Sequence, residues 1–259
     1  MTERARQVLR DVDLIACEDT RHSRPLLRHF GIDKPLLAVH EHNEQEAVPR
    51  LLGMLDAGRS VALISDAGTP LVSDPGFPLV RAARERDLRV VPVPGPSALI
   101  CALSAAGLPS DRFLFIGFPP RGDAARRDWL AALAAEPGTL ICYESGRRAV
   151  ATLRAMAEVL GPRPAVVARE LTKRFETFLR GTLPELAERV VGDPEQQLGE
   201  IVILAQGDRR DAGQRAGAEQ QRILAILSDE LPLKQAVALT ARITGGNRNR
   251  LYKQALGKG

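Results

Sequence analysis

The chain has 259 residues, of which 44% are hydrophobic and 26% charged, and its formal net charge is +4. This length allows one large or two medium domains with a buried core, and the composition is typical of a globular protein rather than a disordered one. No apolar run approaches the ~20 residues that span a bilayer, and the charged N-terminus, MTERARQVLRDVD, is unlike a secretory signal. We therefore expect a cytoplasmic protein without membrane association, whose three cysteines are reduced.

The first part of the chain predicts alternating helices and strands. Helices are predicted at 4–12, 22–30, 43–57, from residue 77 and at 96–106, and strands at 13–18, 36–39, 61–65 and 89–93. The breaker cluster GLPSD (107–111) follows. It predicts a boundary between an N-terminal α/β domain, residues 1–108, and a second domain, residues 109–206.

The second part repeats the α/β pattern and then becomes helical. Strands are predicted at 113–118, 139–144, 165–170, 174–181 and 199–205, and helices near 123–135, 147–160 and 183–191. The polar stretch 207–218 lacks apolar periodicity and predicts a linker. Residues 219–259 predict a basic helical C-terminal region.

The segment SDAGTPLVSDPG (65–76) lies between a buried strand and a helix, where open α/β sheets bind ligands. Its glycines allow the backbone to approach a ligand closely, and Asp66 and Asp74 offer acceptors. The same residue types also form ordinary turns, although this stretch is long for one. VPVPGPSAL (91–99) leaves two interpretations as well, a ligand contact at a helix N-terminus or a proline-stiffened turn.

Charged residues follow the first predicted strand. ACEDTRHSR (16–24) carries Glu18, Asp19 and Arg21, and adjacent carboxylates beside cations suit acid–base chemistry. A polar surface is the plainer interpretation. The cysteines lack CxxC spacing, so we expect no metal site. The sequence has no GxGxxG, P-loop or HExxH motif, which disfavours dinucleotide, nucleoside-triphosphate and zinc-protease functions.

Two later segments, CYESGRR (142–148) and ARELTKRFET (168–177), each end a predicted buried strand in a charged cluster. They predict either an arginine fork for phosphate or carboxylate, or a set of surface ion pairs.

Basic residues without acidic neighbours form two clusters. Arg24 and Arg28 belong to the first, and Arg248, Arg250 and Lys253 to the C-terminal one. They suit either a surface that follows a nucleic-acid backbone or solvated helix faces.

Seven segments occur in the order found in the ribosomal RNA small-subunit methyltransferase I family of the tetrapyrrole methylase superfamily. They are EDTRHSRPLLRHFGI, LISDAGTPLVSDPG, VPVPGPSA, CYESGRR, ARELTKRFET, GEIVILAQG and LYKQAL, and the chain resembles this family from about residue 7 to residue 256. The resemblance implies two α/β domains of the tetrapyrrole-methylase type, with a donor-binding cleft between them, in a homodimer. It implies an S-adenosylmethionine-dependent enzyme that methylates the ribose 2′-hydroxyl of a decoding-region cytidine in 16S rRNA of the small ribosomal subunit.

The resemblance also implies roles for individual residues. S-adenosylmethionine would be held by Ser65, Asp66, Ala67, Gly68, Thr69, Leu71, Val72, Ser97, Ala98, Tyr143 and Leu171. The basic helical tail would contact RNA, and we add the first basic cluster, so that the predicted RNA contacts are Arg24, Arg28, Arg248, Arg250 and Lys253. As a separate hypothesis, Glu18 and Asp19 are candidate catalytic bases, and Arg21 would place an RNA phosphate.

The chain departs from the family pattern at two places. Family members begin with a strand and a loop of the form ATPIGN, whereas this chain opens with a predicted helix, so the resemblance implies that the first strand is missing from this sequence. The family usually has YESPHR where this chain has Gly146 and Arg147 in place of Pro-His. The alternatives are a tetrapyrrole methyltransferase, since basic clefts also suit a polyanionic macrocycle, or an inactive fragment that binds donor or RNA.

Overall fold

The computed structural model describes the backbone of residues 1–210 and 212–256, and the side chains of these ranges except 212–216, 218 and 254–256. The helices are α1 (Glu3–Asp11), α2 (Thr20–His29), α3 (Glu44–Asp56), α4 (Phe77–Glu85), α5 (Ala98–Ala106), α6 (Asp123–Ala132), α7 (Gly146–Leu160), α8 (Leu183–Gly192), α9 (Ala212–Glu230), α10 (Leu233–Thr244) and α11 (Arg248–Leu256). The strands are β1 (Leu14–Cys17), β2 (Leu36–Ala38), β3 (Val61–Ile64), β4 (Phe113–Phe115), β5 (Thr139–Ser145), β6 (Pro164–Arg169), β7 (Thr177–Thr182) and β8 (Glu200–Ala205). Within the described ranges, none of these helices has the length and apolar character needed to cross a membrane.

The first sheet is parallel and has the strand order β2-β1-β3. All four residues of β1 are buried because it is the central strand and helices cover both of its faces. Helices α1 and α2 pack on one face, and α3 and α4 on the other. Cys17 pairs with Ile64, so the loops that follow β1 and β3 leave the sheet side by side.

The second sheet has the order β4-β5-β8-β6-β7, with β4 parallel to β5 and the other pairs antiparallel. Side chains alternate between the two faces of a strand. Leu140 and Cys142 therefore face the cluster formed with α6, α7 and α8, whereas Ile141 and Tyr143 face α5. This sheet is covered on both sides.

Helix α5 precedes the predicted domain boundary but packs on the second sheet. Its Leu99 and Leu103 lie in one buried cluster with Val166 and Leu204. The chain thus changes its packing partner before α5, one helix earlier than the breaker cluster at 107–111. The breaker cluster at 107–111 marks a turn of the chain, but the change from one hydrophobic core to the other occurs before it.

Two predicted segments differ from the structure. The strand predicted at 89–93 is not formed, and this stretch carries no assigned strand. Pro92 and Pro94 lack the N–H that a ladder needs, which explains why an apolar run here does not become a strand. The predicted linker 207–218 is helical from Ala212 onward, because α9 begins there.

The sequence did not reveal the start of α9, because this part has no apolar stripe and contains Gly213 and Gly217, although its Ala, Gln, Arg and Glu residues favour a helix. Its later part does carry one, and Leu224 packs with Val237 of α10 and Leu251 of α11. Gly245, with a φ of 69°, ends α10 in a left-handed turn, and α11 begins three residues later. The C-terminal region is therefore a small helical cluster with its own apolar centre.

Candidate functional site

A cavity of about 250 Å³ lies where the chain leaves the carboxyl ends of β3, β5 and β6. Ligands of α/β proteins bind at such strand ends. The wall is formed by Ala67, Gly68, Thr69, Val72, Ser73, Asp74, Ala98, Phe118, Tyr143, Glu144, Leu171, Glu200, Ile201 and Val202. Both halves of the chain therefore build the same site.

Strained backbone surrounds this cavity on two sides. In each half of the chain, two non-glycine residues with positive φ flank one apolar wall residue. Leu71 (73°) and Ser73 (64°) lie on either side of Val72. Glu170 (50°) and Thr172 (63°) lie on either side of Leu171. Such conformations cost about 1–3 kcal/mol each and cluster at binding sites. Val72 and Leu171 both pack in the cluster that contains α5, so the strained backbone directs the two side chains to the same side of the cavity.

The loop after β3 presents open backbone to the cavity. Gly68 has a φ of 90°, and a Cβ added there would meet no atom within 4 Å. Thr69 fixes the loop, because its hydroxyl donates to the carbonyl oxygen of Pro96 at 2.8 Å. A ligand can therefore approach the Gly68 backbone without displacing a side chain.

Carboxyl groups give the cavity negative character. Burial raises the pKa of Asp74, and the nearby carboxylates of Glu18 and Asp66 raise it further, while a hydrogen bond from Ser65 lowers it. Glu200 also lines the wall, and its carboxylate lies 3.0 Å from the ammonium of Lys173. The site thus holds acidic groups at its entrance and in its wall.

Tyr143 forms the aromatic part of the wall. Its hydroxyl accepts a hydrogen bond from the Leu99 N–H at 3.2 Å, which ties β5 to the first turn of α5. The rings of Phe115 and Phe118 lie 4.7 and 5.7 Å from its ring, both edge-on. Burial raises the pKa of Tyr143, so the phenol stays neutral and packs as part of an apolar surface.

Glu144 is a buried carboxylate, with 1% of its side chain exposed. It accepts hydrogen bonds from the Thr152 hydroxyl at 2.7 Å and the Ser145 N–H at 2.8 Å. Arg148 lies 3.2 Å away and also donates to the carbonyl oxygen of Pro119. Arg148 is thus directed into the protein, so it does not form a fork open to an outside anion.

Gly146 explains one of the departures from the family sequence. A Cβ at this position would lie 2.5 Å from the carbonyl carbon of Gln197, which is backbone. Its N–H donates to the carbonyl oxygen of Gly199 at 2.8 Å. In this chain the two backbone segments approach so closely that no space is left for a Cβ, which the proline usual in the family would carry.

Asp19 does not suit the predicted role of catalytic base. Its carboxylate caps α2 by accepting from the Arg21 N–H at 2.8 Å and pairs with the Arg21 guanidinium at 2.6 Å. These bonds hold the pKa of Asp19 well below its usual range. Arg21 is engaged by the same pair, while Glu18 is half-buried beside the Asp74 carboxyl.

The predicted donor residues fall into two groups. Those that line the cavity are Ala67, Gly68, Thr69, Val72, Ala98, Tyr143 and Leu171. Those outside its wall are Ser65, Asp66, Leu71 and Ser97. The Ser65 hydroxyl donates to the Ala67 carbonyl oxygen at 3.4 Å, and Asp66 is directed towards α2, where it accepts the Asp19 N–H at 3.2 Å.

Several wall residues were not among the predicted donor contacts, although the sequence indicated Asp74 as an acceptor. They are Ser73, Asp74, Phe118, Glu144, Glu200, Ile201 and Val202. Asp74 and Ser73 lie within the predicted loop, and Glu144 follows Tyr143, so these had a local signal. Phe118 and the residues of β8 had none, because only the strand order brings β8 beside β5.

The predicted RNA-contact residues are all exposed. Arg24 and Arg28 lie on α2, and Arg248, Arg250 and Lys253 lie on α11. An open cavity of about 550 Å³ on α11 is lined by Asn247, Asn249, Arg250 and Lys253. Asn247 caps this helix, because its side-chain oxygen accepts from the Asn249 and Arg250 N–H groups.

Comparison with known proteins identifies the family. The family model of the tetrapyrrole (corrin/porphyrin) methylases matches residues 1–187, and that of the RsmI C-terminal HTH domain matches residues 214–259. The ribosomal RNA small subunit methyltransferase I of Pseudomonas aeruginosa is 55% identical over 258 residues, which cover 99% of this chain and 92% of that protein. The chain belongs to the ribosomal RNA small subunit methyltransferase I family. The Escherichia coli O157:H7 protein of the same name is 51% identical, over 99% of this chain and 90% of that protein.

Solved structures support the fold of this methyltransferase I family member. A cobalt precorrin-4 methyltransferase has a TM-score of 0.56 and 19% identity, over 80% of this chain and 88% of that one. A diphthine synthase has a TM-score of 0.59 and 14% identity, over 80% of this chain and 84% of that one. The tetrapyrrole methylase fold expected from the sequence is therefore confirmed, and the chain is a methyltransferase by family.

Proposed function

We propose that this protein transfers a methyl group from S-adenosylmethionine to the ribose 2′-hydroxyl of a decoding-region cytidine in 16S rRNA of the small ribosomal subunit. The observation that carries the proposal is the cavity that unites the 65–76 loop with Tyr143 and Leu171. These are the segments in which the sequence resemblance puts the donor, and the two relatives at 55% and 51% identity bear the name of a ribosomal RNA methyltransferase.

The residues present fit such a donor. When bound, S-adenosylmethionine supplies an electrophilic methyl group on a positively charged sulfur. Val72, Ala98 and Leu171 offer an apolar wall for a flat ring, and the free space over Gly68 admits a ligand against the backbone. The carboxyl of Asp74 suits the net positive charge of the donor. Positioning of this kind supplies much of the rate gain in a transfer between two bound groups.

The basic helices fit an RNA substrate. Arg250 and Lys253 project from α11 beside two asparagines, and Arg24 and Arg28 from α2. Cations of this kind neutralise phosphates and fix the register of the nucleic acid, while other contacts select the nucleotide. We assign Arg21, also exposed on α2, to the same surface. The homodimer and the cytoplasmic location expected from the sequence stay predictions, and light scattering tests the first.

A methyl-transfer assay tests the proposal. Purified protein is incubated with labelled S-adenosylmethionine and small ribosomal subunits that lack the modification, with naked 16S rRNA and a precursor tetrapyrrole in parallel. We expect label in 2′-O-methylcytidine after nuclease digestion of the subunit RNA. Label on the tetrapyrrole alone would replace the proposed substrate, and donor binding without any transfer would indicate an inactive binding protein.

A matched pair of glycine variants tests the cavity. Gly68→Val fills the space over the loop, whereas Gly31→Val changes a glycine with a similar φ of 65° and equally open surroundings after α2. Because backbone strain is comparable, only the first variant should lose donor affinity, by about 100-fold or more (~2.7 kcal/mol). Calorimetric titration with S-adenosylmethionine measures both, and equal affinities would remove the 65–76 loop from the donor site.

A further inference from the structure

His22 and Asp66 form a hydrogen-bonded pair next to the loop that lines the cavity. His22 lies in the first turn of α2, and its Nδ1 atom is 3.1 Å from Oδ2 of Asp66. The other carboxylate oxygen of Asp66 accepts the Asp19 N–H at 3.2 Å. Asp66 directly precedes Ala67 and Gly68 of the cavity wall, so the imidazole stands beside the loop that we assign to the donor.

A carboxylate partner at Nδ1 favours one tautomer of a neutral imidazole. An ionised carboxylate only accepts hydrogen bonds, so the proton of a neutral His22 lies on Nδ1. The lone pair is then on Nε2, at the far side of the ring. The His22 side chain is 74% exposed, and Nε2 is therefore accessible to a large substrate that approaches from solvent. A carboxylate that orients a histidine in this way is a recurring arrangement for proton abstraction.

The other acidic groups near His22 have different tasks. Asp19 is committed to Arg21 and to capping α2. Asp74 lies in the cavity wall, and Glu18 follows the end of β1 close enough to raise the pKa of Asp74. The charged groups that face His22 are thus Asp66 from the loop after β3 and Asp19 with Arg21 from its own helix. Histidine changes charge closest to neutral pH among unperturbed side chains.

We infer that His22 is the base that accepts the proton of the substrate hydroxyl, with Asp66 as its positioning residue. The inference rests on the proposed function. As the hydroxyl oxygen forms its bond to the methyl carbon, the carbon–sulfur bond breaks and its electron pair stays on sulfur, which leaves S-adenosylhomocysteine. The hydroxyl proton passes to Nε2 of His22 and then to water. The abstraction by His22 is worth about 10²- to 10⁴-fold in rate.

His22→Gln tests the catalytic part, and His29→Gln, at the other end of the same exposed helix, is its control. We expect kcat on small ribosomal subunits to fall at least ~100-fold in the first variant and to stay at the wild-type value in the second. KM for donor and RNA should change by less than about twofold, because a base acts in the transition state.

A nuclear magnetic resonance measurement tests the geometry without any turnover. The ¹⁵N chemical shifts of His22 in the wild-type protein should report the Nδ1-protonated tautomer, and Asp66→Asn should shift the population towards Nε2. This spectrum decides the matter even where His22→Gln fails to fold.

The outcomes separate the inference from the function on which it rests. Wild-type protein that labels no ribose contradicts the proposed function. Wild-type labelling with an unchanged kcat in His22→Gln, or an Nε2-protonated His22, contradicts the inference alone. A rise in the KM for RNA with kcat unchanged would make His22 an RNA contact instead of a base, and would also overturn the inference.

Discussion

The three-stranded and five-stranded sheets build one cavity but differ in how much inner strand they contain. The smaller sheet has the buried β1 between the half-buried β2 and β3, whereas the larger sheet has β5, β8 and β6 as inner strands, in which Val167 and Ile203 have no exposed surface. The larger sheet gives the aromatic wall around Tyr143, and the smaller one gives the loop with Gly68 and Asp74. The wall on the larger sheet rests on a well-buried core, whereas the loop after β3 rests on a smaller one. Local unfolding should therefore require less free energy at this loop.

The largest effect on stability is expected when a buried leucine is truncated in either hydrophobic core. Leu153→Ala on α7 and Leu51→Ala on α3 both remove side chains with no exposed surface. We expect losses in unfolding free energy of about 4 kcal/mol and about 3 kcal/mol respectively, because the thinner half collapses more readily around a hole. Urea unfolding followed by circular dichroism and by the fluorescence of Trp129 measures both. A larger loss for Leu51→Ala would reverse the comparison.

Opposite signs are expected for two glycine substitutions. Gly146→Ala drives a methyl group into the backbone of Gln197 and should cost about 2–3 kcal/mol. Gly53→Ala on α3 meets no atom within 4 Å and should stabilise by about 0.5–1 kcal/mol, because glycine weakens a helix interior. Thermal and urea unfolding of the pair check this. Equal and small effects would mean that the 146–197 contact is loose.

A smaller difference is expected between a buried and an exposed ion pair. Arg148→Met leaves the Glu144 carboxylate with only its bonds from Thr152 and Ser145, and should cost about 2 kcal/mol. Arg81→Met removes an exposed pair with Glu85 and should change stability by less than about 0.5 kcal/mol. Unfolding in 1 M salt should reduce only the second effect, and salt sensitivity of the first would argue against burial of Glu144.

The smallest effect concerns acid stability at the entry to β1. Asp13 accepts from the Ser60 N–H at 2.7 Å and from its hydroxyl at 2.8 Å, and these bonds lower the pKa of Asp13. A lowered folded-state pKa gives stability that is present above the ordinary value of 3.8 and is lost as the pH falls through the folded value. Asp13→Asn should therefore flatten the loss of stability below about pH 4. An unchanged slope in acid unfolding would contradict this.

Local sequence patterns predicted most helices and strands but not which of them lie side by side. The run VALIS predicts β3 within one residue, and the predicted helix at 147–160 is α7 within one residue, because burial and periodicity leave a direct mark on a sequence. The strand predicted at 89–93 is wrong, because prolines in this apolar run lack the N–H groups that a β-sheet needs. The linker predicted from residue 207 is also wrong beyond Ala212, where α9 begins without an apolar face.

Long-range pairing explains what the sequence left unseen at the site. His22 and Asp66 lie 44 residues apart and meet only because β1 and β3 are adjacent strands. Glu200 enters the wall because β8 lies between β5 and β6, which no local pattern in the chain specifies. The inward turn of Arg148 depends likewise on the buried partner Glu144. Residues inside one loop, such as Gly68 and Val72, were within reach of sequence reasoning.

The packing of α5 on the second sheet has a mechanical consequence. Because α5 moves with that sheet, the chain crosses between the two halves of the cavity along the extended stretch 88–97. Pro92, Pro94 and Pro96 fix φ at their positions and restrict the backbone of this stretch. Thr69 donates a hydrogen bond to the Pro96 carbonyl oxygen near the end of the stretch. A short segment with three prolines therefore connects the two walls of the cavity and is also hydrogen-bonded to the loop that lines it.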